Sequence, residues 1–183
     1  EKQMPFTITQ FRSEISKQKN LARPNLFEVN VTGKAINNSL FPFMAKIATI
    51  PPSTMGVVEV PYFGRQVKVP GNRTFDNLSI TILNDENFSI RNKIEEWMSQ
   101  MNSHVGNVQT ETLAALTTNT TVSIKHYGVA GGNDSLGEWK FVNCFPVALG
   151  EIALDWGSND TVEEYTVDWA YDYWTHAGGA GSS

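Results

Sequence analysis

Apolar residues occupy every second position in several segments of the chain. In segments 27–32 and 78–82 the alternation is regular, with apolar side chains separated by Glu, Asn, Ser or Thr. A period of two predicts β-strands that bury one face. Segments 42–50, 121–127 and 139–148 are also extended in character, and we expect each of them to form a strand.

Segment 57–69 predicts a pair of strands joined by a turn at 63–64. Pro61 and Pro70 place this pair at an edge or rim, because proline cannot donate a hydrogen bond to a β-ladder. Residues 70–72, with the sequence Pro-Gly-Asn, predict a further turn. The segment from 49 to 73 is therefore expected to lie at the rim of the fold.

The longest alternation lies near the carboxyl end, over residues 164–173. One face is apolar and carries Tyr165, Val167, Trp169, Tyr171 and Tyr173. The other face is polar and partly acidic and carries Glu164, Thr166, Asp168, Ala170 and Asp172. This pattern predicts a single strand with its apolar face on a core and its acidic face on water or a channel.

One segment predicts a long amphipathic helix. Its apolar residues form one stripe over about four turns, and they are Ile90, Ile94, Trp97, Met98 and Met101. Asn84 or Asp85 can cap this helix, which we expect to pack on the core. Residues 6–20 show a weaker helical pattern and predict a short helix that becomes ordered against a partner.

These elements predict a mainly β protein, an antiparallel β-sandwich or barrel of seven to nine strands with one packed α-helix. At 183 residues the chain is long enough for one domain. We expect an N-terminal extension over 1–21, a single β domain over 22–176 and a flexible Gly/Ser tail over 177–183. The chain has no run of about 18 apolar residues that would predict a membrane-spanning helix.

Charge is distributed unevenly along the chain. Residues 1–84 contain 10 Lys and Arg against 5 Asp and Glu, whereas residues 150–183 contain 7 acidic residues and no Lys or Arg. The basic excess is too dilute for sequence-specific DNA binding. Either the acidic segment is a solvated face, or basic and acidic surfaces meet on neighbouring copies of the chain.

The sequence contains no pattern of residues typical of a catalytic or metal site. His104, His126 and His176 lie far apart without a ligand spacing, and no Gly-x-Ser-x-Gly motif is present. The acidic residues after 150 lack the spacing of a calcium loop. Cys144 alternates within a strand and is expected to be a buried, inert thiol. We therefore predict no catalytic, cofactor-binding or metal-binding residues.

Three blocks of sequence, in order and with compatible spacing, carry a resemblance to a known family. They are Ala22–Val29, then Val69–Asp76 continuing to Ile82–Glu86, and finally Gly150–Trp156 through Asp172–Trp174. Over residues 8–175 the chain resembles the tail tube proteins of contractile-tailed, T-even-type bacteriophages. The mainly β pattern, the single long helix and the absence of a catalytic motif agree with that resemblance.

The resemblance implies a structural protein without catalysis or cofactor. Such proteins form hexameric rings that stack into a tube inside a contractile sheath, and their sheets join into one continuous β-barrel through which the genome passes. The implied partners are other copies of the chain, the sheath protein, tube-initiating baseplate proteins, the tape-measure protein and transiting DNA. The implied location is the tail tube of the virion, assembled in the host cytoplasm.

Two sets of residues are candidates for contacts in such a tube. Arg65, Lys68 and Arg73 are candidates for an interface between subunits. Glu164, Asp168 and Asp172 are candidates for an acidic face on the lumen or the sheath side.

Other functions remain open from the sequence. A tube initiator or terminator, or the tube of a phage-like contractile injection particle, would share the fold. A β-sandwich carbohydrate-binding module would explain the five Trp and five Tyr residues, and a hydrolase could use the acidic residues after 150.

Overall fold

The computed structural model describes residues 7–17, 22–33, 41–128 and 135–177. The first half of this part contains helix α1 (Ile8–Lys17), β1 (Phe27–Thr32), α2 (Phe41–Met44), β2 (Ala45–Thr49), β3 (Ser53–Tyr62), β4 (Arg65–Phe75) and β5 (Leu78–Leu83). The second half contains α3 (Ser89–Met101), α4 (Leu113–Thr117), β6 (Thr121–Tyr127), β7 (Ser135–Val142), β8 (Phe145–Leu149), β9 (Glu164–Ala170) and β10 (Tyr173–Ala177). No helix in these four ranges is long and apolar enough to cross a membrane.

The strands form two four-stranded sheets and one separate two-stranded ribbon. Sheet A has the order β1-β6-β7-β10, and sheet B has the order β2-β5-β9-β8. The ribbon consists of β3 and β4. All of the strand pairs are antiparallel, so the predicted mainly β, antiparallel fold is confirmed.

The inward faces of both sheets contribute to one hydrophobic core. From sheet A the fully buried residues include Val29, Val31, Val122 and Phe141. From sheet B they include Leu78, Ile80, Ile82, Val167 and Trp169. These residues are the apolar members of the alternating segments, because successive side chains of a strand point to opposite faces of its sheet.

Helix α3 completes the core with the predicted apolar stripe. Ile90, Ile94 and Trp97 are buried. The Trp97 ring packs 5.8 Å from the Trp169 ring, measured between centroids, and its Nε1 donates a 3.1 Å hydrogen bond to the Leu116 carbonyl oxygen in α4. Helix α1 forms as predicted, but none of its residues is buried.

The cap of α3 differs from the prediction. The N-cap position is Phe88, whose φ of 52° is left-handed and whose side chain makes no capping hydrogen bond. Asp85 instead reaches the first turn from outside the helix, and its Oδ1 accepts a 3.0 Å hydrogen bond from the Ser89 backbone N–H.

Two predicted strands have different limits in the structure. Segment 42–50 begins with the helical turn α2, so only Ala45–Thr49 is extended. Segment 139–148 is two strands, β7 and β8, because the backbone turns at Asn143 with a φ of 56°. An asparagine tolerates this left-handed conformation better than most residues, and it directs β7 and β8 into different sheets.

The prediction of one unbroken strand over residues 164–173 is wrong. Strand β9 ends at Ala170 in sheet B, and the chain then crosses to sheet A, where β10 begins at Tyr173. Tyr171 lies in the crossover, with its ring 5.0 Å from the Phe141 ring, while Tyr173 is exposed. The alternation in sequence runs on to Tyr173, but burial does not follow it, since Trp174 packs against the core in place of Tyr173.

We predict that Trp97→Ala lowers the free energy of unfolding by about 3–5 kcal/mol, because it leaves a cavity beside Trp169 and removes a buried hydrogen bond. Thermal unfolding of the isolated chain tests this, with an expected fall in Tm of about 10 °C or more. The control is Trp156→Ala, since Trp156 is fully exposed and its loss is expected to leave Tm unchanged. An unchanged Tm for Trp97→Ala would contradict the placement of this helix in the core.

Candidate assembly interface

The β3–β4 ribbon extends sheet B beyond the body of the protein. In sheet B, Thr49 of β2 pairs with Ser79 of β5, and in the ribbon Ser53 pairs with Phe75 in the same register. Two prolines, Pro51 and Pro52, separate the ladders, because neither has an N–H to donate. We call this ribbon, residues 53–75, the arm. At about 3.3 Å per residue its strands are about 33 Å long.

Apart from its base, where the Phe75 ring lies 6.0 Å from the Tyr171 ring, the arm has no packing partner within the described part of the chain. All residues of β3 are exposed, and in β4 only Gly71 and Phe75 are half-buried. Four valines lie on one face of the arm, where Val58 pairs with Val69 and Val60 with Val67. All four are exposed. We call these four residues the valine face.

An isolated two-stranded ribbon is marginally stable in water, and exposed apolar patches of this kind mark interaction sites. The arm is therefore a candidate interface.

Aromatic residues form the tip of the arm. Phe63 and Gly64 make the two-residue turn, both with positive φ, at 44° and 77°. Tight hairpin turns between twisted strands require this backbone conformation. The Phe63 side chain is 90% exposed, and its ring lies edge-on to the Tyr62 ring at 4.7 Å.

The predicted turn at 70–72 is wrong, because these residues lie within β4. The register shifts there, so that the step from Met55 to Val57 on β3 faces the step from Arg73 to Pro70 on β4. This is a β-bulge with one extra residue on β4. A Cβ atom on Gly71 would lie 3.1 Å from the Gly56 carbonyl oxygen, so glycine allows the two backbones to approach.

The three candidate cations all lie on the arm, but they do not share one face. Arg65 pairs with Tyr62 beside the tip and on the same side as the valine face. Lys68 lies on the opposite face, where its Nζ is 3.9 Å from the Glu59 Oε1. Arg73 lies near the base, beyond the bulge.

The crossover of the chain from β9 to β10 separates Asp172 from the other two candidate acidic residues. Glu164 and Asp168 lie on β9, on the face of sheet B that points away from the core, whereas Asp172 lies after the end of β9. The Asp172 carboxylate accepts a 2.6 Å hydrogen bond from the Asn143 Nδ2. The prediction that all three acids share one strand face is therefore wrong for Asp172.

On its two central strands, β5 and β9, the outward face of sheet B is mostly hydrophilic and nearly neutral. Glu164 forms an ion pair with Lys46, and the Thr81 and Thr166 hydroxyls lie 3.2 Å apart. Asp168 is half-buried and makes no ion pair within the described residues. It is the residue that gives this face its negative charge.

The described residues contain no cluster of three or more His, Cys, Asp or Glu side chains that could hold a metal ion. Cys144 is fully buried, its Sγ donates to the Phe141 carbonyl oxygen at 3.2 Å, and burial raises its pKa to about 12. Burial likewise raises the pKa of Tyr165 to about 12. The thiol is therefore neutral at ordinary pH, which confirms the prediction of a buried, inert cysteine.

Sequence reasoning missed the exposed apolar residues of the loop before β9. Leu154, Trp156 and Val162 are all largely exposed. Their sequence carries no periodic signal, because the loop has neither helix nor strand, and an isolated apolar residue in a sequence more often predicts burial. The one signal in the sequence that could have indicated their exposure is their spacing within a strongly acidic segment.

Within the described residues, the exposed arm and the open edge strands of both sheets are features of the class of structural subunits that are completed by assembly. Comparison with known protein families identifies the family within this class. The family model described as "Phage tail tube protein" matches residues 6–177, and the chain belongs to this family. The chain is thus a structural component of the virion.

Curated relatives agree with this assignment. The tail tube protein gp19 of Enterobacteria phage T4 is 30% identical over 157 residues, which cover 84% of this chain and 90% of that protein. The tail tube protein of Serratia phage KSP90 is 23% identical over 171 residues, covering 90% of this chain and 94% of that protein. The resemblance to tail tube proteins of T-even-type phages is therefore confirmed.

Two solved structures share the fold. A chain of the anti-feeding prophage baseplate matches with a TM-score of 0.64 at 17% identity, covering 87% of this chain and 97% of that chain. A chain of the sheath-tube complex of the extracellular contractile injection system PVC matches with a TM-score of 0.57 at 19% identity, covering 90% and 96%.

We predict that the amides of the arm exchange with solvent orders of magnitude faster than those of β5 in the isolated chain, because beyond Phe75 no described part of the chain packs on the arm. In assembled particles the arm amides are expected to become protected. Hydrogen exchange measured by mass spectrometry on both forms tests this. Equal arm protection in the two forms would count against an interface role.

Proposed function

We propose that this chain builds the inner tail tube of a contractile-tailed phage by self-assembly into stacked, hexameric rings. The observation that carries the proposal is the arm, whose valine face has no partner among the residues that the structure describes. Membership of the tail tube family supports the same conclusion. We take residues 22–176 as the tube domain, with 1–21 as an extension and 177–183 as a tail.

Each ring closes when copies of sheet B join edge to edge into a continuous β-barrel. The support for this step is the strand order, in which β2 and β8 are the outer strands of the sheet. Ile47 on β2 and Val147 on β8 are both exposed apolar residues at these edges. Closure removes free edges, which would otherwise promote unspecific aggregation.

The outward face of sheet B lines the bore in this arrangement. Its Ser and Thr side chains offer a smooth hydrophilic wall, and Asp168 repeats once per subunit around the ring. A negative wall repels the DNA backbone, so that the genome passes without binding. The proposed role is a conduit without catalysis or cofactor. Its partners are other copies of the chain, the sheath protein, baseplate tube-initiating proteins, the tape-measure protein and DNA, and assembly takes place in the host cytoplasm.

Negative-stain electron microscopy of the concentrated full chain tests the proposal, with and without a baseplate template. We expect rings or tubes. A monodisperse monomer under all these conditions, retained on a glycan column, would instead indicate a carbohydrate-binding module. The burial of Tyr165 and Trp169 argues against that module, since it would present its aromatic residues to solvent.

We predict that the double change Arg65→Glu with Lys68→Glu slows tube growth several-fold at about 50 mM salt and much less at about 500 mM, because salt screens exposed charges. Light scattering and microscopy measure the growth. The matched control is Lys125→Glu with Lys140→Glu, which makes the same change in net charge on sheet A. Growth that is unaffected at every salt concentration would leave apolar burial and strand pairing as the main assembly forces.

We predict that Asp168→Lys permits tubes to form but impairs passage of DNA, because it places a ring of cations on the bore. Phage carrying the change are expected to assemble normal tails by microscopy and to lose infectivity. Asp168→Asn is the control, and its effect is expected to be small. Failure of Asp168→Lys to form tubes would place this residue at a contact between subunits or with the sheath.

A further inference from the structure

The two ends of sheet B carry two different surfaces. The arm leaves the sheet after Thr49 of β2, at the end where Leu78 of β5 pairs with Trp169 of β9. At the other end, where Leu83 pairs with Glu164, the chain forms the loop over residues 150–163. We call this segment the acidic loop. The arm and the acidic loop therefore lie at opposite ends of the same sheet.

Both ends of the acidic loop are anchored to the body of the protein. At its start the Gly150 carbonyl oxygen accepts a 3.1 Å hydrogen bond from the Arg91 Nη1. At its end Glu163 is held twice by Asn84, whose backbone N–H donates to the Glu163 carbonyl oxygen at 2.9 Å and whose Nδ2 donates to the carboxylate at 2.8 Å. The loop is therefore a fixed surface of the subunit.

A turn presents Trp156 to solvent at the tip of the acidic loop. The Ser158 N–H donates to the Asp155 carbonyl oxygen at 3.2 Å, and the Gly157 N–H donates to the Asp155 Oδ1 at 3.0 Å. Trp156 is fully exposed and Leu154 is 80% exposed. Between the limbs of the loop lies a groove of about 350 Å³, which Val162 also lines.

The arm and the acidic loop are complementary in charge and in apolar character. Within the acidic loop, Glu151, Asp155 and Asp160 are exposed and no Lys or Arg is present. The arm carries three cations against the single acid Glu59. The aromatic tip and the valine face of the arm are apolar, as are the exposed side chains of the loop. Buried aromatic anchors with complementary charges at the rim are typical of specific interfaces.

We propose that the acidic loop of one copy receives the tip of the arm of the next copy along the tube. The inference rests on the proposed function and names the surface that receives the arm. Because the arm projects from the opposite end of sheet B, it cannot reach the acidic loop of its own chain. The contact is heterologous, so each copy donates one arm and accepts another, which generates an open-ended filament.

Crosslinking between the two surfaces tests the proposal. The full chain carries Gln66→Cys on the arm and Ser158→Cys on the loop, both exposed positions, with Phe63 and Trp156 left in place. The native Cys144 is buried and stays unreactive. After assembly and treatment with a short bismaleimide, denaturing electrophoresis is expected to show a ladder of covalent oligomers beyond the dimer. A mixture of the two single variants is expected to give dimers, and each single variant alone to give monomers.

The control variant pairs Gln66→Cys with Val105→Cys, since Val105 is fully exposed and lies outside both surfaces. No ladder is expected from it. If tubes are seen by microscopy but positions 66 and 158 do not crosslink, this inference is wrong and the proposed tube function is unaffected. The absence of both tubes and crosslinks, with and without a baseplate template, would overturn the proposed function and this inference together.

A second variant tests whether Trp156 anchors the contact between the arm and the acidic loop. Trp156→Ala is expected to raise the protein concentration needed for tube growth about tenfold or more, as for an interface hot spot, while the unassembled chain keeps its Tm. An unchanged concentration threshold would remove Trp156 from the interface and contradict the proposal.

Discussion

The exposure of the arm is the physical constraint on which the proposed assembly of this protein depends. A two-stranded ribbon of about 33 Å exposes its valine face and both of its backbone edges, and none of the residues that the structure describes covers them. The hydrophobic effect and unpaired hydrogen-bonding groups both favour contact with another surface. The isolated fold is therefore complete in its core and incomplete at its periphery, as a repeating subunit must be.

The core supplies the rigidity that such a subunit needs. Trp97 and Trp169 join α3 to sheet B, and the same sheet continues through Thr49 and Ser79 into the arm. Arg91 and Asn84 tie the acidic loop to the body of the protein. Both proposed contact surfaces are thus attached to one body, which sets where the arm leaves the subunit and where the acidic loop lies and so limits the entropic cost of forming a regular tube.

Much of the fold could be predicted from the sequence because alternation and burial coincide in it. Strands β5 and β9 and the stripe on α3 were predictable, since their apolar residues face one core. The crossover at Asp172 was not, because the alternation continues in phase while the strand changes sheets. The bulge at Gly71 was also missed, because Pro-Gly-Asn is ordinarily a turn signal. Here the opposite strand places a second glycine, Gly56, beside Gly71, and the segment stays within β4. The basic arm was predictable from local composition, whereas the exposure of Trp156 depends on the tertiary contacts that hold the acidic loop and has no local signal beyond the acidity of the segment around it.

In the proposed assembly, the open edge strands of each copy are closed by neighbouring copies. A cryo-electron microscopy reconstruction of the assembled tube, at a resolution that traces the main chain, tests it most directly. We expect β2 of one subunit to hydrogen-bond to β8 of its neighbour in every ring, so that the copies of sheet B form one closed barrel. Rings in which β2 and β8 remain unpaired, with the bore lined by sheet A, would contradict it.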